Sequence, residues 1–348
     1  MGLDAQYGVL VGFLESLGAR APIVQAPMAG AAGPALAIAA MRGGAAGSLP
    51  CALLTAEQVA AQAAEVRAGA EGPLNLNFFC HALPEPPDES AWRALLAPYY
   101  AAESVAPGDP PPLRRPFDEA ACAAVEAVRP EIVSFHFGLP EASLLARVRA
   151  TGAKVFGCAT NGEEMRWLAE SGVDAIIAQG QEAGGHSGWF LDRHRPTPLA
   201  ALLAERPGVP VIAAGGIADG AGIAGAIRSG AAGVQIGTAY LASPETFISG
   251  AFRALLGTAV ESRFTNLFSG REARGIVNRL MAELGPMRDE APVFPYASNA
   301  LAPLRKQAEA DGRGDYSPLW AGSGVARVEA MPAEELTRRL AREAAALL

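Results

Sequence analysis

The chain has 348 residues, half of them apolar and 18% charged, with a net charge of −8. This composition describes a globular protein that can bury a large core and argues against a disordered one. The acidic balance and the lack of any basic run argue against nucleic acid or an anionic membrane as partner. Cys51, Cys80, Cys122 and Cys158 show no CxxC spacing, so neither a zinc knuckle nor a disulfide framework is expected and the compartment reads as reducing. The opening Met1-Gly-Leu-Asp-Ala-Gln-Tyr7 has no basic region followed by an apolar core, and no apolar stretch is long enough to span a bilayer; a soluble, cytoplasmic protein is expected.

From the start, short apolar or β-branched runs alternate with Ala-rich stretches of helical period. Pro22 to Ala26 reads as the first strand, Pro34 to Met41 as a helix, Ala45 to Leu49 as a weak second strand. A helix follows from Thr55, whose Thr-Ala-Glu-Gln start matches a capping box, and Leu74 to Phe79 is the third strand. Residues 82–116 are dense in proline, with one short amphipathic piece from Trp92 to Tyr100, and read as an insertion. The rhythm resumes with a helix from Asp118 to Val128, a strand at Ile132 to Phe135, a helix at Pro140 to Thr151 and a strand at Lys154 to Cys158. Asn161 caps the next helix, with Glu164 three residues on; Ala175 to Ala178, Val209 to Ala213 and Gly233 to Ile236 are the last strands, and Asp219 to Ser229 is helical.

Eight β-α units whose strands are continuous apolar runs indicate a parallel sheet covered on its outside, and the count of eight favours a closed (β/α)8 TIM barrel over an open doubly wound sheet. The barrel is expected over residues 1–244, a smaller, mostly helical second domain over 245–315, and a return to the barrel over 316–348. Within the second domain Phe247 to Leu256 looks helical, Thr265 to Leu284 is rich in arginine, and Pro286 to Pro303 is loop-like.

In such a barrel the chemistry sits at the C-terminal ends of the strands. The stretch after the sixth strand, Gln179-Gly-Gln-Glu-Ala-Gly-Gly-His186-Ser-Gly188, is so poor in side chains that backbone must approach a ligand closely, leaving His186 as the reactive group. Gly215-Gly216 and Gln235-Ile236-Gly237-Thr238 follow the last two strands, where bare amides suit a phosphate. No GxGxxG follows the first strand, which disfavours a dinucleotide fold. His81, His136 and His186 all lie at strand ends, which raises a metal-hydrolase alternative, but no His-x-His pair follows the first strand and a metal site is not expected. Asp219 reads as a helix cap, Glu182 as either a base or an orienter of backbone amides, His194 as a surface residue, and Cys158 as a small apolar filler.

Taken together, Gln25-Ala-Pro-Met28, Asn75-Leu-Asn-Phe-Phe-Cys-His81, Phe135-His-Phe-Gly138, Ala178 to His186, Ala214-Gly-Gly216 and Gln235 to Thr238 resemble the class I nitronate monooxygenases, formerly 2-nitropropane dioxygenases. The resemblance continues through Ser269-Gly-Arg-Glu-Ala-Arg-Gly275 and Leu319-Trp-Ala-Gly322 and covers nearly the whole chain. It implies a flavin-dependent oxidoreductase that uses FMN and O2 to oxidise alkyl nitronates, typically propionate 3-nitronate, to a carbonyl compound and nitrite or related nitrogen oxides, by one-electron transfer to the flavin. Carried over by position, Met28, Asn77, Gln179, Gly184, Gly215, Gly216, Gln235, Ile236, Gly237 and Thr238 are the implied FMN contacts. His186 matches the catalytic histidine, and His136 and Tyr296 the substrate pocket. Small molecules are the expected partners, with a homodimer left open.

One segment departs from the pattern. Family members carry a lysine four residues after a tyrosine, whereas Tyr296 is followed at that spacing by Ala300, so the partner of a substrate carboxylate is open, with Arg271 and Arg274 as substitutes. A flavin-dependent enoyl thioester reductase or an NAD(P)H:quinone reductase on the same barrel is the nearest alternative, and an idle flavin- or phosphate-binding protein a further one.

Overall fold

The apolar runs form a closed ring of parallel strands in the computed structural model, which describes residues 12–108 and 113–348. The opening stretch read for targeting features and residues 109–112 of the insertion lie outside the described residues. In chain order the strands are β1 (Ile23–Gln25), β2 (Gly47–Pro50), β3 (Leu74–Phe79), β4 (Ile132–His136), β5 (Lys154–Ala159), β6 (Ala175–Gln179), a two-residue β7 (Gly185–His186), β8 (Val211–Ala214) and β9 (Gly233–Ile236). All but β7 belong to one eight-stranded sheet in the order β1-β9-β8-β6-β5-β4-β3-β2. The ring closes where the Gln25 amide donates to the Ala46 carbonyl and the Ala46 amide to that of Ile23, both at 2.9 Å.

Both faces of these strands are buried, which is why their sequences do not alternate with polar residues. Val24, Phe156, Ile177 and Ile212 point into the barrel with Leu14 of α1 (Gly12–Ser16) plugging one end. Their neighbours Ile23, Val155, Ile176 and Val211 point outward under the helices. Those helices are α2 (Pro34–Gly43), α3 (Ala56–Gly69), α5 (Glu119–Val128), α6 (Ala142–Ala150), α7 (Gly162–Glu170), α8 (Leu199–Ala204) and α9 (Gly220–Arg228), with α4 (Ser90–Glu103) in the insertion. Helix starts follow the local chemistry: Thr55 and Gln58 make the reciprocal capping box, and Asn161 and Asp219 accept from the amides of Glu164 and Gly222.

Beyond the barrel, residues 245–315 hold two short strands as well as helices. The helix read over Phe247 to Leu256 shrinks to α10 (Gly250–Arg253), β10 (Ser262–Thr265) runs up to the arginine-rich stretch, and that stretch yields β11 (Ala273–Ile276) before α11 (Arg279–Leu284). The loop-like stretch contains the start of α12 (Ser298–Ala310), which tolerates Pro303 and buries Ala300, Leu301, Leu304 and Ala308. β10 and β11 pair antiparallel, and β11 pairs antiparallel with β7, so His186 sits on a second small sheet. Neither Ser-Arg-Phe-Thr nor Ala-Arg-Gly-Ile carries a strong strand pattern; pairing across the sheet makes them strands.

The insertion and this later segment share one core, in which Trp92, Leu96, Tyr99 and Tyr100 of α4 pack with Leu267, Leu280, Leu304 and Tyr316. The Trp92 indole donates to the Ala297 carbonyl at 3.2 Å, and Glu103 receives Arg313 at 2.6 Å and the Tyr316 hydroxyl at 2.8 Å. The last helix, α13 (Ala333–Ala345), returns to pack on α2 and α9. Because Trp92 is fully buried and carries a satisfied donor, Trp92→Ala should lower unfolding free energy by about 3–5 kcal/mol, whereas Trp92→Phe should cost markedly less. Chemical denaturation of the two variants measures the difference.

Candidate active site

A cavity of about 400 Å³ opens at the C-terminal ends of the barrel strands, bounded by β1, β3, β4, β6, β8 and β9 and by residues 318–324. Its wall carrying His186 is the loop from Gly180 to Gly188. Gln179 grips that loop from the strand end: its Nε2 donates to the His186 carbonyl and its Oε1 accepts from the Gly188 amide, both at 2.8 Å. His136 reinforces the grip, its Nε2 lying 3.1 Å from the same carbonyl, which can only accept; Nε2 therefore carries the proton. On the other side the Ser187 amide donates to the Glu272 carbonyl at 2.8 Å, continuing the β7–β11 pairing.

The loop passes so near other backbone that side chains are excluded. A Cβ on Gly184 would stand 2.5 Å from the Gly322 nitrogen and 2.6 Å from the Ala321 carbonyl carbon. Gly322 is held in turn by its amide donating to Thr238 Oγ1 at 2.9 Å, and Ser323 by its amide donating to the Glu182 carbonyl. Glu182 is absent from the cavity wall; its Oε2 accepts from the Leu199 amide at 3.1 Å, so it orients backbone.

His186 is buried, with Nε2 2.9 Å from Ser269 Oγ and its ring edge-on to Phe294 and Trp320 at centroid distances of 5.4 and 5.5 Å. Burial lowers its pKa well below the ordinary value, and the positive charges of Arg114 and Arg271 and the neighbouring His136 and His81 push the same way. His186 is thus neutral near pH 7. His136 and His81 are likewise lowered to about 4, chiefly by burial, with Arg271 opposing protonation of both. Arg271 is pinned between Phe137 and Trp189, its guanidinium carbon 4.2 and 4.0 Å from their ring centres, and burial lowers its pKa to about 10, still charged. Cys158 is buried with its pKa pushed up by burial, which makes the thiol an inert filler.

The other end of the cavity is a cradle of backbone. Gly215 and Gly216 take φ of 120° and 70°, values that favour glycine, and a Cβ on Gly215 would stand 2.9 Å from the Ala183 nitrogen. The amides of Gly216, Ile217 and Gly237 donate to no carbonyl among the described residues. The first amides of α9 are different: Gly222 donates to Asp219 and Gly220 to Glu343, so an anion would meet the turn amides and not the helix end. Gln235 Oε1 is buried at the cavity without a partner among the described residues.

A model of the family described as nitronate monooxygenase matches residues 13–343 of the chain. The chain belongs to the nitronate monooxygenase family. The nitronate monooxygenase of Paraburkholderia phytofirmans is 41% identical, over 95% of this chain and 94% of that one. That of Pseudomonas aeruginosa is 38% identical, over 95% and 98%. The nitroalkane oxidase from Streptomyces ansochromogenes superposes with a TM-score of 0.88 at 36% identity, covering 96% of this chain and 98% of that one. FabK from Thermotoga maritima, at 22% identity and a TM-score of 0.70, shares the fold.

In this nitronate monooxygenase family member, Met28, Asn77, Gln179, Gly184, Gly215, Gly216, Gln235, Gly237 and Thr238 all border the cavity with His136 and His186, whereas Ile236 is buried behind it. The Nδ2 of Asn77 is tied to Ser134 Oγ at 2.9 Å, and the amide of Gln179 is engaged at both ends by the loop. Tyr296 departs from the expected pocket position: it is buried outside the cavity wall, with its hydroxyl donating to the Pro84 carbonyl at 2.7 Å. Arg274 is outside as well, bound to the carbonyls of Gln181 and Ser262, and Arg271 is held by its stack. Two cations border the cavity: Arg305 of α12, paired with Glu309 at 2.8 Å, and Arg114 of the insertion, whose Nε is buried without a partner among the described residues. Sequence reading missed it, since an arginine after a proline-rich run carries no signal. It also missed Ser269, which stands first in a motif recognised only as a whole. His194 is half-buried against Phe264, 4.7 Å between ring centres, and not a surface residue.

Two outcomes follow from this packing. Gly184→Ala should cost about 1–3 kcal/mol through overpacking against fixed backbone. Gly185→Ala, with φ of 77° but open space around it, should cost only the roughly 1–2 kcal/mol of left-handed strain, and thermal unfolding compares them. The depressed histidines also set the acid side of stability. Between pH 6.5 and about 4 the unfolded chain takes up protons that folded His81 and His136 refuse, so stability is complete above 6.5 and is lost as pH falls. Tm measured across this range should decline, and less steeply in His81→Asn.

Proposed function

We propose that the protein oxidises alkyl nitronates with O2, giving a carbonyl compound and nitrite or related nitrogen oxides, with FMN as cofactor and propionate 3-nitronate as the favoured substrate. The observation that carries this reading is a neutral histidine held among cations at one end of a cavity whose other end is bare backbone, in a chain of this family. The residues fit a flavin mononucleotide. Gly215, Gly216 and Gly237 offer unengaged amides and no side-chain bulk for a phosphate, and Gln235 Oε1 and Asn77 offer polar atoms to a ring edge. When bound, the flavin supplies the one-electron oxidation that no side chain here can perform.

The chain's own part is to bind, orient and move a proton. Arg114 and Arg271 place positive charge beside His186, which favours an anionic nitronate over a neutral ligand in a poorly solvated pocket. For a neutral nitroalkane, the uncharged His186 takes the proton from the carbon beside the nitro group. A histidine of such low pKa is a weak base in the free enzyme. The nitronate formed offsets the cations that depress it, so the proton is better held once transfer has occurred. Phe79 borders the cavity and is backed by Phe137 and Phe294, which pack edge-on against the His186 ring and limit water around it.

The purified protein should be yellow with flavin absorption, and that absorption should change on anaerobic addition of propionate 3-nitronate but not of NADPH. Bleaching by NADPH with no nitronate turnover would instead place the protein among reductases. His186→Asn should retain flavin yet lose at least about 100-fold in nitroalkane turnover, the usual scale of a general base. Arg114→Met should raise KM for the anionic nitronate roughly tenfold, the effect of one screened charge, while neutral nitroethane is affected less. Steady-state oxygen consumption distinguishes these outcomes.

A further inference from the structure

Ser269 lies on the loop between β10 and β11 and is almost wholly buried. Its hydroxyl has two neighbours, His186 Nε2 at 2.9 Å and the carbonyl oxygen of Arg271 at 3.1 Å. A hydroxyl has one proton to give, and a carbonyl oxygen can only accept. Both bonds form together only if Ser269 donates to Arg271 and accepts from a protonated Nε2 of His186. The other nitrogen is then the one with the lone pair. His186 Nδ1 has no hydrogen-bond partner among the described residues and, unlike His81 Nδ1, is not sealed away from the cavity.

We propose that Ser269 is a positioning residue that fixes the tautomer of His186, holding the proton on Nε2 so that Nδ1 is the nitrogen that accepts the substrate proton. This rests on the reading of His186 as base. In the step, the substrate C–H bond breaks and its electron pair becomes the C=N bond of the nitronate, the N=O π pair moves onto oxygen, and the proton joins Nδ1. Nε2–H stays on Ser269 throughout, and the extra proton on Nδ1 afterwards returns to solvent. The arrangement follows the general logic by which a group behind a catalytic imidazole sets which nitrogen is free. Here the group is neutral, so it orients the ring without raising its basicity as a carboxylate would. The β7–β11 pairing fixes the spacing, because the same strand pair carries His186 on one side and leads to Ser269 on the other.

The test uses the flavin-loaded full chain with ¹⁵N-labelled histidine, and His186 resonances are assigned by their loss in His186→Asn. Wild type at neutral pH should show His186 as a single Nε2–H tautomer. Ser269→Ala should show mixed tautomers, and the ratio of nitroethane turnover to turnover of preformed ethyl nitronate should fall about tenfold. Ser269→Thr, which restores the hydroxyl, should recover both. An Nδ1–H tautomer in wild type, or an unchanged spectrum in a folded, flavin-retaining Ser269→Ala, overturns the proposal whatever the kinetics. Full nitroethane turnover by His186→Asn would instead overturn the base reading beneath it. If Ser269→Ala does not fold, the wild-type tautomer and the Ser269→Thr variant still decide.

Discussion

The site depends on how a loop almost without side chains is kept in one place. Flexible glycine backbone is costly to order, and Gly180, Gly184, Gly185 and Gly188 would leave His186 free to wander if nothing gripped them. Gln179 supplies the grip by bonding the loop at two points from the end of a barrel strand. The His186 carbonyl takes a second bond from His136, and strand pairing to β11 holds the far side. Each of these contacts uses main-chain atoms of the loop, so the imidazole itself is left to its own partner and to the cavity. Glycine is needed at position 184 because backbone from 321–322 occupies the space of a side chain.

Electrostatics complete what the backbone arranges. Three histidines and two arginines meet around the Phe79, Phe137 and Phe294 wall, and burial keeps the histidines uncharged while the arginines retain their charge. Repulsion among the five is thereby limited, and the net field still favours a negative ligand. The cations come from separate parts of the chain, Arg114 from the insertion and Arg271 from the β10–β11 loop, so the field exists only when both are folded onto the barrel.

The barrel was readable because burial on both faces writes itself into sequence as runs such as Ala175–Ile–Ile–Ala178, and because Thr55, Asn161 and Asp219 mark helix starts by chemistry that acts over three residues. Most of the cavity wall was readable for a related reason, since its residues stand directly after those strands. What escaped was whatever depends on distant pairing. β10 and β11 lack an apolar alternation of their own, and β7 is two residues long. Tyr296 sits away from the cavity because the Pro84 carbonyl claims its hydroxyl, a partner 212 positions away that no local pattern announces. Arg114 and Ser269 acquire meaning only from the three-dimensional neighbourhood of His186.

The final helix has a consequence for how the molecule is made. After β9 comes only a short 3-10 turn, Thr238–Tyr240, and the place of a barrel helix beside α2 and α9 is filled by α13, about ninety residues further on. Glu343 of that helix caps the Gly220 amide, and Thr337 bonds the Tyr240 hydroxyl at 2.7 Å. As the chain leaves the ribosome, the barrel's strands all emerge well before this helix, and one flank of the sheet stays uncovered until α13 follows. Apolar surface on α2 and α9 is therefore exposed in the nascent chain until α13 packs on it.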